Sequence, residues 1–226
     1  MNVFVVAKHK IYSLLSGPQL NRYLQGTTTR KLHLGCGKNL LQGWLNTDLK
    51  YRKNRISFLD ASKTFPFQNE TIDFIFCEHL IEHLSFVQAK NLLGECRRIL
   101  KANGTIRISM PSIYFLFDLL KNGTHPLNIE YTRWAAQRFL TKAGMGYDED
   151  QAAVYVISNF FRDFGHKVIH SFESIQSLLL KAGFREIEQA KIGVSKTPEL
   201  CMLEQHGHVI PDEFNRLETL VVEARK

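Results

Sequence analysis

The stretch Lys31-Leu-His-Leu-Gly-Cys-Gly-Lys38 constrains this chain more than any other, because a short apolar run ends there in two closely spaced glycines. A second strand-like run, Gly43-Trp-Leu-Asn-Thr-Asp48, follows at once and places a carboxylate thirteen residues past Gly35. Strand, glycine turn, strand and acid is the order in which a doubly wound sheet builds a nucleotide pocket. Glycine lets the backbone approach a ligand closely, and the acid accepts hydrogen bonds from a ribose diol. A dinucleotide fingerprint needs a third glycine, and Leu40 and Leu41 stand in its place; no Gly-Lys-Ser/Thr phosphate loop is present either. The pocket therefore suits an adenosine that carries no pyrophosphate.

Strand and helix signals alternate from residue 31 onward, which predicts an α/β sheet with mostly parallel strands. Strands are predicted at Lys31–Leu34, Trp44–Thr47, Arg55–Leu59, Thr71–Cys77, Thr105–Met110, Phe184–Ala190 and Leu220–Ala224. The dense apolar run at 71–77 reads as a strand buried on both faces. Helical spacing at Phe86–Lys101 groups Leu92, Leu93, Cys96, Ile99 and Leu100, with Asn103-Gly104 as a stop. Ile113–Lys121 is a further helix, and Ser171–Ala182 another, with Ser171 as N-cap, Ser174 at its third position and Gly183 as its stop. Residues 8–24 form an amphipathic helix (Ile11, Leu14, Leu15, Leu20, Leu24) interrupted at Gly17-Pro18, which caps the sheet rather than a membrane surface. The segment 124–164, with Trp134, Phe139, Phe160, Phe161 and the acidic Asp148-Glu-Asp150, reads as a largely helical insertion over the sheet's active edge. One domain over 1–226 follows, with a cover helix inside 1–30.

Composition narrows the class only slightly. The formal charge of +7 is a mild basic bias that is compatible with an anionic substrate and selects no partner. Cys36, Cys77, Cys96 and Cys201 show no metal-ligand spacing and read as reduced thiols in a cytoplasmic protein. The apolar start, Met1–Ala7, is too short for a secretory signal, and no window reaches a membrane-spanning length.

S-adenosylmethionine is a ligand with an adenosine and no phosphate, and the motifs agree. Leu32-His-Leu-Gly-Cys-Gly37 resembles motif I of the class I S-adenosylmethionine-dependent methyltransferases, in particular a subfamily with L-x-L-G-C-G and G-W-x-N-x-D strands that is often linked to sugar and polysaccharide modification. The resemblance continues through LDASKTFPFQNETIDFIFCEHLIEHL, ECRRILKANGTIRISMPS, SFESIQSLLLKAGF and TLVVEARK; it covers about 31–122 and 166–226 and leaves the insertion out. It implies a Rossmann-like, doubly wound, mostly parallel seven-stranded sheet with an antiparallel last strand. It also implies roles. Gly35 and Gly37, with His33, Leu34 and Cys36 around them, pass under the methionine moiety; Asp48, followed by Leu49, accepts the ribose hydroxyls; Asp60 and Ala61 flank the adenine. Cys77, Glu78 and His79 close the fourth strand, where the reactive methyl faces the acceptor. An ionised acceptor such as Asp48 makes the stronger bonds; Asp60-Ala-Ser also suits a plain turn.

One departure is plain: about ten residues separate the glycine turn from the second acid-ending strand, against roughly twenty in a full β-α-β half. The intervening helix must be very short and the pocket shallow there, with the N-terminal helix supplying cover.

His79-Leu-Ile-Glu82-His83 also matches H-x-x-E-H, a zinc-peptidase signature in which two histidines share a helix face. The block directly follows a buried strand and has no third ligand at a recognisable spacing, so no metal is expected. His79 is the first candidate for a general base, with Glu78 and His83 beside it, although proximity and in-line geometry alone suffice for many methyl transfers. His125, His166 and His170, with Phe161-Arg-Asp163, lie on the substrate side.

The function these readings imply is transfer of a methyl group from S-adenosylmethionine to oxygen or nitrogen of a small-molecule or glycan acceptor, leaving S-adenosylhomocysteine. RNA or other nucleic-acid methylation is the alternative, against which Cys77-Glu-His-Leu stands where base-amino methylases carry Asn/Asp-Pro-Pro-Tyr/Phe, and no Lys/Arg-aromatic interleaving supports it. A non-catalytic protein that binds the cofactor is the third reading. The sequence fixes neither the acceptor nor the oligomeric state.

Overall fold

The computed structural model describes residues 3–140 and 149–226. Its centre is a seven-stranded sheet in the order β3-β2-β1-β4-β5-β7-β6. The strands are β1 (Lys31–Leu34), β2 (Leu45–Asp48), β3 (Ser57–Phe58), β4 (Ile72–Glu78), β5 (Leu100–Pro111), β6 (Arg185–Ala190) and β7 (Thr219–Arg225). Strands β1 to β5 pair in parallel, and β7 runs antiparallel to both of its neighbours.

The strand order explains where a ligand can sit. The chain steps outward from β1 through β2 to β3, then returns to the other side of β1 as β4. Connections leaving β1 and β4 therefore diverge, and a crevice opens past their carboxyl ends. Leu34 is in register with Cys77, so the turn after β1 and the residues after β4 flank that crevice.

The central strands are buried on both faces, which accounts for their continuous apolar runs: Leu32, Leu34, Ile72, Ile75 and Cys77 are all fully enclosed. Helix α2 (Phe86–Ile99) packs on one face through Ala89, Leu92, Leu93, Cys96 and Ile99. It starts with a capping box in which the Ser85 hydroxyl accepts the Gln88 N–H and the Gln88 side chain accepts the Ser85 N–H. Helix α6 (Phe172–Ala182) starts at the predicted N-cap Ser171, with Ser174 completing a capping box, and ends at Gly183, at φ +91°.

Five local expectations are corrected. The N-terminal helix α1 (Val3–Gly26) runs unbroken through Gly17-Pro18. Its tertiary ties outweigh the N–H that proline removes: Ser16 Oγ accepts the Phe58 N–H at 2.6 Å, Leu20 is buried, and the Tyr23 hydroxyl donates to Lys31 O and accepts the Lys31 N–H. Ile11, Leu14 and Leu15 of its predicted apolar face are exposed. No helix, not even a short one, connects β1 to β2. Helix α2 stops at Ile99, and Leu100 already begins β5; Asn103-Gly104 lies within that strand, with Asn103 at φ +65°, where the pairing with β4 shifts register. The third strand shrinks to two residues.

The segment 124–164 is helical where it is described: α4 (Pro126–Ala135), a π-helical turn (Ala136–Leu140) and α5 (Ala152–Arg162). With α3 (Ile113–Lys121) and α7 (Asp212–Glu218) it encloses a second apolar core around Phe115, Leu116, Tyr131, Val156, Phe160 and Phe214. Asp148 lies outside the described residues.

Candidate active site

The turn after β1 has the geometry that its glycines permit. Gly35 and Gly37 hold φ of +65° and +54°, where a side chain is strained. A Cβ on Gly35 would meet Leu80 Cδ1 at 3.0 Å, whereas one on Gly37 would meet nothing within 4 Å. The turn is thus backed by Leu80 at one glycine and open at the other. The Cys36 N–H donates to Thr47 O at 3.0 Å, and the Gly37 N–H donates to Asp48 Oδ2 at 3.0 Å, which sews turn and second strand together without a helix. Asp48 Oδ1 takes the Lys50 N–H at 2.9 Å. Each carboxylate oxygen accepts two bonds, so one place on each is left for a diol. Leu49 is exposed and Ala61 buried. Asp60 Oδ1 accepts both the N–H and the hydroxyl of Ser62, at 3.0 and 2.7 Å, so the plain-turn reading of this acid describes its bonds.

Four residues predicted at the cofactor offer it no side chain. Leu34 and Cys77 are fully enclosed, and Cys36 is 3% exposed; burial pushes the Cys36 thiol up to about 12 and the Cys77 thiol higher. His33, buried on β1, faces Asn46 Oδ1 at 3.1 Å and the Phe76 ring, whose centroid is 5.2 Å away, the spacing of an ordinary aromatic pair. Burial lowers its pKa to about 4, partly opposed by the Asn46 bond, so it is a neutral core histidine. All four can meet a ligand through backbone alone.

The three residues nominated for chemistry separate into different tasks. Glu78, at the end of β4, is buried; its oxygens accept the Gln205 N–H and the His206 N–H at 3.0 Å, so the carboxylate anchors a distant loop. His79 adopts φ +47°, a left-handed conformation that a non-glycine residue holds only when its surroundings enforce it. Its Nδ1 is 3.1 Å from Glu82 Oε1, its ring lies 3.9 Å from that of His206, and its Nε2 is buried with no hydrogen-bond partner. Burial pulls the His79 pKa down, but the bond and charge of Glu82, with Glu218 and Glu78, leave it raised overall. Burial likewise opposes ionisation of Glu82, yet His79 holds its pKa below the usual value. His83 sits in a 3-10 turn (Ile81–His83), so it does not share an α-helical face with His79; its ring meets that of His166 at 5.0 Å.

The sequence marked Glu82 beside His79 but held no signal for its other neighbours, His206 and Glu218. His206 lies in a turn (His206–His208) and Glu218 ends α7; His206 Nε2 and Glu218 Oε1 are 3.2 Å apart, and the Tyr131 hydroxyl donates to Glu218 Oε2 at 2.6 Å. A wholly buried arginine holds the preceding loop. Arg107 on β5 donates to Glu204 at 2.6 Å, to Glu223, and to the carbonyls of Lys191 and Val194 at 2.9 Å. Only the tertiary structure shows that this loop and Glu78 jointly deliver His206 to His79.

These residues border a cavity of about 360 Å³, walled by Trp134, Phe139, Phe160 and Phe164 of the insertion. His166 also lines it, its Nδ1–H donating to Phe160 O at 2.7 Å. His170 is buried against Ser174 and the exposed His125 precedes α4, both away from the wall. Leu80 touches the glycine turn and its neighbour His79 touches the cavity, so the two halves of the site adjoin across β4.

Residues 45–108 match the family model of a methyltransferase domain. No curated protein matches the chain in sequence. Among solved structures, a SAM-dependent methyltransferase from Archaeoglobus fulgidus is 17% identical over 100% of both chains, with a TM-score of 0.52. A possible histamine N-methyltransferase from Thermotoga maritima is 15% identical over 98% of this chain and 96% of its own, at 0.47. Phosphoethanolamine N-methyltransferase 2 from Haemonchus contortus, solved with S-adenosyl-L-methionine, is 15% identical over 93% of this chain and 52% of its own, at 0.49. The chain thus shares the Rossmann-like fold of the Archaeoglobus fulgidus methyltransferase, a seven-stranded sheet with one antiparallel strand, and its residues 45–108 are similar to a methyltransferase domain.

Proposed function

We propose that the chain transfers a methyl group from S-adenosylmethionine to a small-molecule or glycan acceptor held in the aromatic cavity. The observation that carries this reading is the adjacency of an open glycine turn and that cavity, Leu80 packing on the turn and its chain neighbour His79 lining the cavity. The residues at the turn fit the cofactor: Gly37 leaves its face open, and Asp48 keeps unused acceptor capacity on both oxygens while two backbone N–H groups fix its direction. When bound, the cofactor supplies an electrophilic sulfonium methyl.

The chain's own part is to position the acceptor and exclude water. Trp134, Phe139, Phe160 and Phe164 give the cavity flat apolar walls suited to the carbon face of a ring, while His79, His206 and Glu218 form its polar end. Holding two reactants in line contributes much of the rate in such transfers. The attacked atom is an oxygen or nitrogen on a small or sugar-sized group, in keeping with the cavity's volume of about 360 Å³.

The test is a panel of hydroxylated, amino and sugar acceptors incubated with methyl-labelled S-adenosylmethionine. Label transferred to one class, and reduced at least tenfold by Trp134→Ala with cofactor binding kept, supports the reading. Transfer to RNA alone, or cofactor binding with no transfer to any acceptor, would replace it by the nucleic-acid or the non-catalytic alternative.

A further inference from the structure

We propose that His79, His206 and Glu218 bind a divalent cation of the zinc type, with an open coordination position on the acceptor cavity. One ligand atom of each residue lies within 4.8 Å of those of the others, although the three come from the end of β4, the His206–His208 turn and the end of α7. His206 Nε2 and Glu218 Oε1 are 3.2 Å apart. Two adjacent ligands on a tetrahedral zinc ion, each at 2.0–2.1 Å, stand about 3.3 Å apart.

The orientation of His79 is the second line of argument. Its Nδ1 is engaged by Glu82 Oε1, which directs the remaining lone pair to Nε2, and that atom is buried without any partner. A buried polar atom left unpaired is costly and calls for a ligand. A carboxylate on the far nitrogen is also the outer-shell contact by which proteins fix the tautomer of a metal-bound imidazole. Glu218 is steadied in the same way by the Tyr131 hydroxyl on its other oxygen.

Charge agrees. Glu82 is fully buried and Glu218 is 4% exposed, yet among the described residues their ion pairs are with histidines alone, with no Lys or Arg. A dication neutralises what two imidazoles otherwise must. Two histidines, one carboxylate and an open position make up a catalytic rather than a structural zinc set, and the nitrogen donors disfavour magnesium. The neighbouring trio Glu82, His83 and His166 also gathers within 4.8 Å, and Glu82 Oε2 is buried without a partner; there, however, the Glu82 carboxylate is shared with His79 through Oε1 and His166 already gives its Nδ1 to Phe160 O. The H-x-x-E-H block thus sends its two histidines to different clusters, and the other ligands of the proposed site lie more than a hundred residues downstream of His79, beyond any spacing motif. That the open position receives the acceptor rests on the methyltransferase reading; metal binding itself does not.

The full chain, stripped with chelator, is titrated with Zn²⁺ by calorimetry and with Co²⁺ by visible absorption, and each variant is also titrated with S-adenosylmethionine. The expected result is one zinc per chain and a cobalt d–d spectrum of low coordination. His206→Ala and Glu218→Gln should each weaken zinc at least tenfold, Glu82→Gln 10–100-fold, and His166→Ala less than twofold. His206 is on a partly exposed turn, and the near-isosteric Glu218→Gln serves if the alanine variant does not fold. The proposal is overturned by absence of stoichiometric zinc in the wild type, by zinc binding indifferent to both ligand variants, or by loss in His166→Ala instead. Zinc binding without any cofactor heat would leave the metal site standing and remove the methyltransferase reading.

Discussion

The two halves of the site are built on opposite plans. The turn side is local: Gly35, Gly37 and Asp48 lie within fourteen residues, are joined by one backbone-to-carboxylate bond, and face outward. The cavity side is assembled: His79, Tyr131, His206 and Glu218 come from four separate elements and meet in the interior. A local device needs only the right residues at the right spacing. An assembled one needs buried anchors, and here these are Arg107 and Glu78, neither of which touches the cavity.

If this contrast is right, the largest effect follows from Arg107→Met. It leaves Glu204 and Glu223 as buried carboxylates without their cation and should cost about 3–5 kcal/mol of stability, read by urea unfolding. Cofactor affinity in the folded fraction should stay within twofold; a collapse of that affinity would break the division between the halves.

Next is His33, the core histidine of the turn side. Its folded pKa of about 4 is below the unfolded 6.5, so the unfolded chain binds the extra proton between these values. The contribution is fully present above pH 6.5 and is lost as pH falls toward 4, at about 1.4 kcal/mol per pH unit. Unfolding curves across that window should show this slope, and His33→Gln should remove it. An unaltered slope in the variant would assign the acid sensitivity elsewhere.

Glu78→Gln should be milder. It keeps one acceptor oxygen for the Gln205 and His206 N–H groups but loses the charge, at a cost of about 1.5–3 kcal/mol. Acceptor methylation should fall while cofactor affinity holds. The reverse pattern would place Glu78 with the cofactor and not with the loop.

The same contrast decides what was legible in the sequence. The β1 turn, the acid ending β2 and the positions of most strands were legible because apolar runs, glycine pairs and strand-terminal acids are short-range signals, and so were the Ser171 cap and the Gly183 stop. The straight course of α1 through Pro18 was not, since it depends on Ser16 reaching the Phe58 N–H forty-two residues away. His206 and Glu218 carried no signal at all: one is in an irregular loop held by Arg107 and Glu78, the other ends a helix of seven residues and is held by the Tyr131 hydroxyl. His33 was placed with the cofactor because it lies within the glycine motif; strand alternation turns its side chain onto Asn46 and Phe76.

Calorimetry of S-adenosylmethionine with the wild type and with Asp48→Ala tests the turn as a cofactor cradle most directly. The wild type should bind one equivalent, and the variant should lose about 1.5–3 kcal/mol of affinity, the value of hydrogen bonds to a charged acceptor. No heat with the wild type, or equal affinity in the variant, would contradict the cradle and with it the function built on it.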